Sequence, residues 1–158
     1  EEVLPLSFSF LPVFVFFYKV VVVVVDRSSP ENRAKSMREL KDVIIKGISI
    51  LIFPEGTFNE TNYPLKECYD GAFRLAIETQ TPIKPLIFID TYDRMRYDYL
   101  GTMNPGRCRA VFLPTIPVEG LTPKDVPQLK QQVLTLMESK LREYNASWIR
   151  EETPAVMD

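Results

Sequence analysis

The sequence predicts an α/β domain with a mostly parallel central sheet flanked by helices. Residues 20–25 are an unbroken run of valines, which favours a buried strand. An amphipathic helical pattern follows, and a second apolar segment at residues 48–53 closes the unit. Because strand, helix and strand in this order normally pair in parallel through a right-handed crossover, the pattern predicts a parallel sheet.

Length and composition favour a single domain. The chain has 158 residues, enough to bury one core without disulfides or metal ions. Its 19 basic and 21 acidic residues nearly balance, which argues against a general electrostatic role in nucleic-acid binding. Cys68 and Cys108 lack the CxxC spacing of a zinc site. We expect both to be reduced, although a disulfide between them stays open.

Residues 3–25 are the most apolar part of the chain, and Lys19 is their only charged residue. A helix of this length would cross a bilayer core of about 30 Å, so a transmembrane span is one interpretation. Pro5 and Pro12 interrupt a helix, however. We therefore expect residues 1–19 to form an apolar, membrane-facing arm whose aromatic side chains suit a bilayer interface. The acidic start of the chain does not resemble a signal peptide.

The domain itself is expected to cover residues 20–149, followed by a disordered tail at residues 150–158. Its first helix should run from Pro30 to about Lys46 and end at Gly47. Two serines precede the proline, and a glutamate follows it, as in a helix start with a hydroxyl cap. The apolar stripe of this helix consists of Ala34, Met37, Leu40 and Ile44.

Four more elements are expected farther along the chain. A helix opens at Asp70 or Gly71, residues 84–89 form the next strand, and residues 108–113 form another. A cap signature at residues 122–125 then starts a long amphipathic helix. The apolar positions of that helix are Val126, Leu129, Val133, Leu136, Met137, Leu141 and Tyr144.

Two short polar segments follow predicted strands. Open α/β sheets bind their ligands at these carboxyl ends of strands. In residues 26–29, Arg27 offers a guanidinium suited to a phosphate, beside the free amides of the first helix. In residues 54–57, Gly56 allows the backbone to approach a ligand closely. Glu55 would repel a phosphate. We expect it to hold an arginine or lysine by an ion pair, or to accept a hydrogen bond from a substrate hydroxyl.

Each of these features also has a plain structural interpretation. A strand followed by Pro-Glu-Gly-Thr is a reasonable turn, and Asp26 with Arg27 could form a surface ion pair. The polar connection at residues 90–107 contains Arg94 and Arg96. We expect both to be solvated loop charges, although a basic rim over a phosphate would use them as well.

Several phrases, in order, resemble the glycerolipid acyltransferases, the family of 1-acylglycerol-3-phosphate (lysophosphatidate) acyltransferase. Residues 53–57, Phe-Pro-Glu-Gly-Thr, closely resemble that family's Glu-Gly signature. Four other segments resemble, in turn, its arginine motif, its Gly-Ala-Phe helix, its proline-flanked fourth motif and the segment before its last helix: residues 24–27, 69–76, 82–86 and 116–121. The resemblance covers residues 12–144.

The resemblance implies a glycerol-3-phosphate acyltransferase-like fold and a role in phospholipid biosynthesis. The reaction would transfer a fatty acyl group from acyl-CoA or acyl carrier protein to the free hydroxyl of 1-acylglycerol-3-phosphate, without a further cofactor or metal. Because the family binds the acceptor phosphate through its arginine and Glu-Gly motifs, Arg27, Glu55, Gly56 and Thr57 become the expected phosphate site. A membrane-associated protein at the cytoplasmic face, peripheral or anchored through its N-terminal arm, is also implied.

The chain departs from the family at its catalytic motif, because it contains no histidine. In the family, the histidine of an Asn-His-x-x-x-x-Asp motif removes the acceptor proton. That motif precedes the arginine motif, so we expect it upstream of Glu1 in an N-terminally truncated chain, with no catalytic residue in the chain itself. Phe58 and Asn59 stand where many relatives have Arg and Ser, and Val21 where glycine is common. The missing arginine weakens the phosphate site.

Two other functions were weighed against acyl transfer. A non-catalytic lipid-phosphate-binding module or scaffold derived from the same family would keep the phosphate site without the base. Hydrolysis by an esterase or phosphatase is disfavoured, because the sequence has no Gly-x-Ser-x-Gly elbow, no histidine for a triad and no metal-ligand pattern.

Overall fold

A computed structural model of the chain describes residues 29–95 and 104–149. The expected apolar arm, the valine strand with Arg27, and the C-terminal tail lie outside the described residues. The chain divides into two compact units, residues 1–50 and 51–158, and each is described by itself. The domain boundaries expected at residues 20 and 149 stay predictions.

The described part of the first unit is one helix, α1 (Pro30–Ile45). It begins as predicted, because the Ser29 hydroxyl accepts a hydrogen bond from the amide of Asn32 at 3.1 Å and Pro30 occupies the first turn. It ends as predicted at Gly47, which has φ +78°. Of the four stripe residues, Leu40 is buried, Met37 and Ile44 are half-buried, and Ala34 is exposed.

The strand predicted at residues 48–53 is wrong, since these residues have no regular secondary structure. Leu51 and Phe53 are 64% and 62% exposed, where a central strand would bury them. A strand exists only with a hydrogen-bonded neighbour, and a short apolar run cannot specify which segment that neighbour is. The neighbour expected here, residues 20–25, lies outside the described residues.

The second unit contains a two-stranded sheet, β1 (Leu86–Phe88) with β2 (Ala110–Phe112). Both strands were predicted, but their pairing is antiparallel, with Leu86 opposite Phe112 and Phe88 opposite Ala110. The described residues therefore form a mixed α/β structure without the mostly parallel sheet that the sequence predicted. An isolated antiparallel bridge between Ile83 and Ile116 extends the pairing.

The antiparallel pairing has a local cause in the connection between the two strands. Parallel strands require a crossover of about a dozen residues or more, usually a helix packed on the sheet. The described part of this connection has only one helical turn, α2 (Thr91–Arg94). Farther along the connection, Asn104 lies next to the end of α2, because its amide donates a hydrogen bond to the carbonyl of Arg94 at 2.9 Å. The two described ends of the connection therefore lie side by side, as the antiparallel pairing requires.

Two helices enclose the core of the second unit. The helix expected at Asp70 or Gly71 is α3 (Gly71–Thr79), which precedes β1 in the chain, and the last helix is α4 (Val126–Glu143). The predicted cap at residues 122–125 forms a short 3₁₀ turn, Pro123–Asp125, with a complete capping box. Buried apolar side chains join α3 to α4: Phe73, Ala76, Ile77, Val126, Leu129 and Val133.

A second apolar cluster lies under the sheet. It joins the sheet to the end of α4 through Ile87, Ile89, Leu113, Leu141 and Ala146. The predicted stripe of α4 is confirmed, since all seven positions are buried or half-buried. Among the helices in the described ranges, none is both long and apolar enough to cross a membrane.

Candidate functional site

The Pro-Glu-Gly phrase forms a turn. The amide of Gly56 donates to the carbonyl of Phe53 at 3.2 Å, which closes a four-residue turn with proline at its second position. Gly56 has φ +69°, a conformation that costs a residue with a side chain about 1 kcal/mol or more. The local interpretation of the phrase is therefore confirmed, and the turn leaves Gly56 and Thr57 exposed.

A second segment holds this turn in place. The amide of Tyr69 donates to the carbonyl of Pro54 at 2.9 Å, and the amide of Lys66 donates to Oε2 of Glu55, also at 2.9 Å. Within residues 51–95 and 104–149, Glu55 forms no ion pair with a cationic side chain. The carboxylate expected to hold an arginine or lysine is thus anchored to the backbone of a lysine instead.

The Glu55 carboxyl is half-buried, and its environment shifts its titration. Desolvation raises the pKa of Glu55 above its ordinary value, while the hydrogen bond from the Lys66 amide and the charge of Lys66 oppose that rise. A carboxylate that is desolvated and yet held in a fixed geometry is common at functional sites, although structural networks produce it as well.

The loop that follows the turn is ordered by side chains. Asn59, one of the departures from the family, accepts from Thr61 at Oδ1 and donates from Nδ2 to the carbonyl of Tyr63 at 2.9 Å. The indole of Trp148 donates to the same carbonyl at 3.1 Å. Asn59 therefore closes a local loop, which accounts for an amide side chain at this position.

The connection between the strands holds an ion pair that sequence reasoning missed. Arg109 donates to both carboxylate oxygens of Asp90, from Nη2 at 2.6 Å and from Nε at 2.8 Å, and its backbone amide adds a third bond at 2.9 Å. These contacts lower the pKa of Asp90 to about 2, the hydrogen bond from the Arg109 side chain being the largest cause. No local signal links the two residues, because they lie 19 positions apart.

The expectation that Arg94 is a solvated loop charge is wrong. Its Nη1 donates to the carbonyl of Pro105 at 3.1 Å, so it fastens the far end of the loop to α2. Its guanidinium also occupies the space that a β-carbon on residue 106 would need, and the residue there is Gly106. Arg96 lies outside the described residues. Arg94 therefore has a structural role in this loop.

Two other groups near the turn are poor candidates for a base. Cys68 is buried, and desolvation together with the charge of Glu55 raises its pKa to about 11, so at neutral pH it is a thiol. Asp70 forms an ion pair with Lys130 at 2.8 Å. Both cysteines are free thiols, in agreement with the prediction, and Cys108 is exposed.

Three of the four predicted site residues are consecutive in the sequence and lie in the described part of the chain. Glu55, Gly56 and Thr57 share one turn and its exposed continuation, whereas Arg27 lies outside the described residues. A joint site with Arg27 thus stays a prediction. Within residues 29–95 and 104–149, no cluster of three or more potential metal ligands is found.

Comparisons with known proteins confirm the family relationship that the sequence motifs predicted. A profile of the Acyltransferase family matches residues 7–89, which is just over half of the chain and includes the Glu-Gly turn. The chain belongs to the glycerolipid acyltransferase family. It is similar to 1-acyl-sn-glycerol-3-phosphate acyltransferase alpha of Mus musculus, at 33% identity over 125 residues. The Homo sapiens protein of that name shows the same identity over the same length.

These acyltransferase relatives are longer than the chain. The mouse and human alignments cover 77% of this chain and 43% of each relative. An uncharacterized acyltransferase of Schizosaccharomyces pombe is 34% identical over 146 residues, covering 87% of this chain and 50% of that protein. The chain thus spans about half the length of the acyltransferases it matches, or less. No solved structure matches it.

Proposed function

We propose that the chain forms the acceptor-binding part of an acyltransferase that acts on 1-acylglycerol-3-phosphate in phospholipid synthesis. The observation that carries the proposal is the Phe53–Gly56 turn, in which the backbone hydrogen bond leaves Gly56 exposed and the Lys66 amide fixes the Glu55 carboxylate. The mouse and human relatives are named 1-acyl-sn-glycerol-3-phosphate acyltransferases, which supports the choice of acceptor. Acyl-CoA or acyl carrier protein would supply the acyl group.

Phosphate recognition is divided among the four site residues. Arg27 supplies positive charge and a planar donor fork, and the exposed Gly56 and Thr57 offer donors at the turn. Glu55 does not contact the phosphate, because two anions repel each other. Its role is instead to orient a cation or a substrate hydroxyl beside the turn, which is supported by the hydrogen bond from the Lys66 amide that fixes the carboxylate.

The transfer itself requires a base. The acceptor hydroxyl oxygen attacks the thioester carbonyl while the base takes the hydroxyl proton, and the new C–O bond replaces the C–S bond. The sulfur leaves as a thiolate, to which the protonated base returns the proton. No histidine is present among the 158 residues, and the buried Cys68 thiol does not replace one. The task proposed for these residues is therefore to bind and orient the acceptor, and purified chain mixed with acyl-CoA and acceptor should show no turnover above background.

Membrane association is proposed from the nature of the acceptor, which resides in a bilayer, and from the apolar arm at residues 1–19. A location at the cytoplasmic face belongs to the same family-based proposal. Deleting residues 1–19 should reduce flotation of the chain with liposomes. Unchanged flotation would show that the arm belongs to the core and is not an anchor.

The acceptor site is tested by co-sedimentation with phosphatidylcholine vesicles that contain 1-acylglycerol-3-phosphate. The variant Arg27→Ala should bind these vesicles about tenfold more weakly, because a charge-assisted contact is lost. Arg38→Ala is the matched control, since Arg38 is an exposed arginine on α1 outside the proposed site. Equal binding of wild type and Arg27→Ala would refute this assignment of the acceptor site.

A non-catalytic lipid-phosphate-binding module is the second candidate, and the lack of histidine is the observation that favours it. An acyltransferase domain must bind the acyl donor as well as the acceptor, whereas a module that only binds lipid phosphate has no use for the donor. Titration with palmitoyl-CoA, with free coenzyme A as the control, separates the two. Saturable binding of the thioester favours the enzyme.

A further inference from the structure

Lys66 lies directly beside the Glu-Gly turn, although no motif pointed to it. Its amide donates to Glu55 Oε2 at 2.9 Å, and three residues later the amide of Tyr69 donates to the carbonyl of Pro54 at 2.9 Å. These two backbone bonds hold residues 66–69 along the turn. The position of Lys66 therefore does not depend on its own side chain.

The ammonium group of Lys66 is near Glu55 without being locked to it. Its charge acts on the Glu55 carboxylate and favours the ionised form. Lys66 is half-buried, and within residues 51–95 and 104–149 its ammonium forms no ion pair. The backbone of Lys66 is therefore fixed beside Glu55, and no ion pair in the described part of this unit consumes the donors of its ammonium.

The sequence explains why a cation is needed at this turn. Position 58, where many relatives have arginine, is Phe58, and its side chain is 63% exposed. A phosphate monoester carries up to two negative charges, and its recognition depends on cations placed nearby. Phenylalanine offers none, so the turn lacks the cation that the arginine would supply.

We propose that Lys66 contacts the acceptor phosphate in place of the arginine missing at position 58, and that Glu55 is the carboxylate that orients it. This inference rests on the proposed function, whose acceptor phosphate it takes as its ligand. Lysine suits the task because its ammonium is a compact charge with three donors on a flexible stem. The negative charge of Glu55 attracts the Lys66 ammonium toward the turn.

The test measures co-sedimentation of the full chain with phosphatidylcholine vesicles containing either 1-acylglycerol-3-phosphate or an equal fraction of phosphatidylglycerol. Lys66→Gln should weaken binding to the first vesicles about tenfold. Binding to phosphatidylglycerol should change much less, because that lipid carries a phosphodiester and reports only on general charge. Lys66→Arg keeps the charge and should retain most of the binding, which also guards against a loss caused by misfolding.

The matched control is Lys124→Gln, which removes one exposed lysine from the short turn before α4. It should bind both vesicles like the wild type. If Lys66→Gln also binds like the wild type while Arg27→Ala does not, the inference about Lys66 is refuted and the proposed acceptor site stands. If the wild type itself does not prefer 1-acylglycerol-3-phosphate vesicles to phosphatidylglycerol vesicles, both proposals fail.

Discussion

Among single residues, Asp90 makes the clearest pH prediction. Its pKa is lowered to about 2 by Arg109, so the ionised form stabilises the folded state above the ordinary aspartate pKa of about 4. That contribution is lost as the pH falls from about 4 to about 2. We expect wild type to be more stable than Asp90→Asn at neutral pH, and the difference in Tm to close over this range. A difference independent of pH would contradict the assigned cause.

Glu55 shows the opposite dependence, because desolvation raises its pKa. The ionised carboxyl then lowers stability at pH values above its folded pKa, and this cost vanishes below its ordinary pKa of 4.5. Glutamine can still accept the hydrogen bond from the Lys66 amide. We expect Glu55→Gln to be at least as stable as wild type in urea at neutral pH, with no advantage below the ordinary pKa.

The same Glu55→Gln variant should bind acceptor vesicles more weakly. Lower binding combined with equal or higher stability would indicate that the carboxylate is retained for function, since stability alone does not favour it. Glu119→Gln, at an exposed position before the last helix, is the control and should change neither property. A Glu55→Gln variant that loses stability at neutral pH would contradict the desolvation argument.

Residue roles were predictable only where they depend on local sequence. The turn at Gly56 follows from proline and glycine at fixed offsets, and the structure confirms it. The anchor from Lys66 to Glu55 spans 11 positions, and the pair of Arg109 with Asp90 spans 19. No periodicity or spacing rule encodes such contacts. Both depend on how the chain folds back, so sequence reasoning missed both.

At the scale of structural elements, the loop between β1 and β2 predicts that Gly106 and Arg94 are coupled in their effect on stability. Gly106→Ala places a β-carbon where the Arg94 guanidinium lies, and relieving the clash breaks the bond from Arg94 to Pro105. We expect a loss of about 0.5–1.5 kcal/mol in the free energy of unfolding, because the flexible guanidinium can move aside and the main loss is its hydrogen bond to the Pro105 carbonyl.

The control for the loop prediction is the double mutant. In the Arg94→Ala background, the space beside residue 106 is empty, so Gly106→Ala should cost less than about 0.5 kcal/mol. Urea unfolding of the four proteins in this cycle measures the coupling. A glycine substitution that costs the same in both backgrounds would show that backbone conformation, and not the arginine, requires glycine at this position.

Helix α4 contributes buried side chains to the core of the second unit, and substitution of Leu129 tests how much this packing stabilises the fold. This side chain is 1% exposed and packs in the cluster that joins α4 to α3. Leu129→Ala should lower the free energy of unfolding by about 2–5 kcal/mol, through lost burial and the cavity left behind. Gln132→Ala, on the exposed side of the same helix, should change it by less than about 0.5 kcal/mol.

Helices were predictable and strand pairing was not, for a physical reason. The caps at Ser29 and Thr122 are local, and the structure has both. Pairing between β1 and β2 joins residues that lie far apart in the sequence, as does the contact of Asp90 with Arg109, and no local pattern predicts either. The apolar run at residues 48–53 was mispredicted for the same reason: its hydrophobicity predicts burial, but it does not identify the segment with which a strand would pair.

For the whole molecule, the family could be recognised from the order of short motifs, since the phrases are linear and need no knowledge of the fold. The profile match over residues 7–89 and the identity to acyltransferases confirm that relationship. The arrangement of the phosphate site is a different kind of statement. It requires Arg27 near the turn, and proximity between distant segments is a property of the folded chain alone.

The central claim is that this chain recognises the phosphate of a lysophospholipid acceptor. It is tested most directly by isothermal titration of the full chain, in one neutral detergent, with 1-acylglycerol-3-phosphate and with the 1-acylglycerol that differs from it only by lacking the phosphate. We predict that the phosphorylated lipid binds at least about tenfold more tightly, as expected for at least one charge-assisted phosphate contact. Equal affinities for the two lipids would contradict the claim.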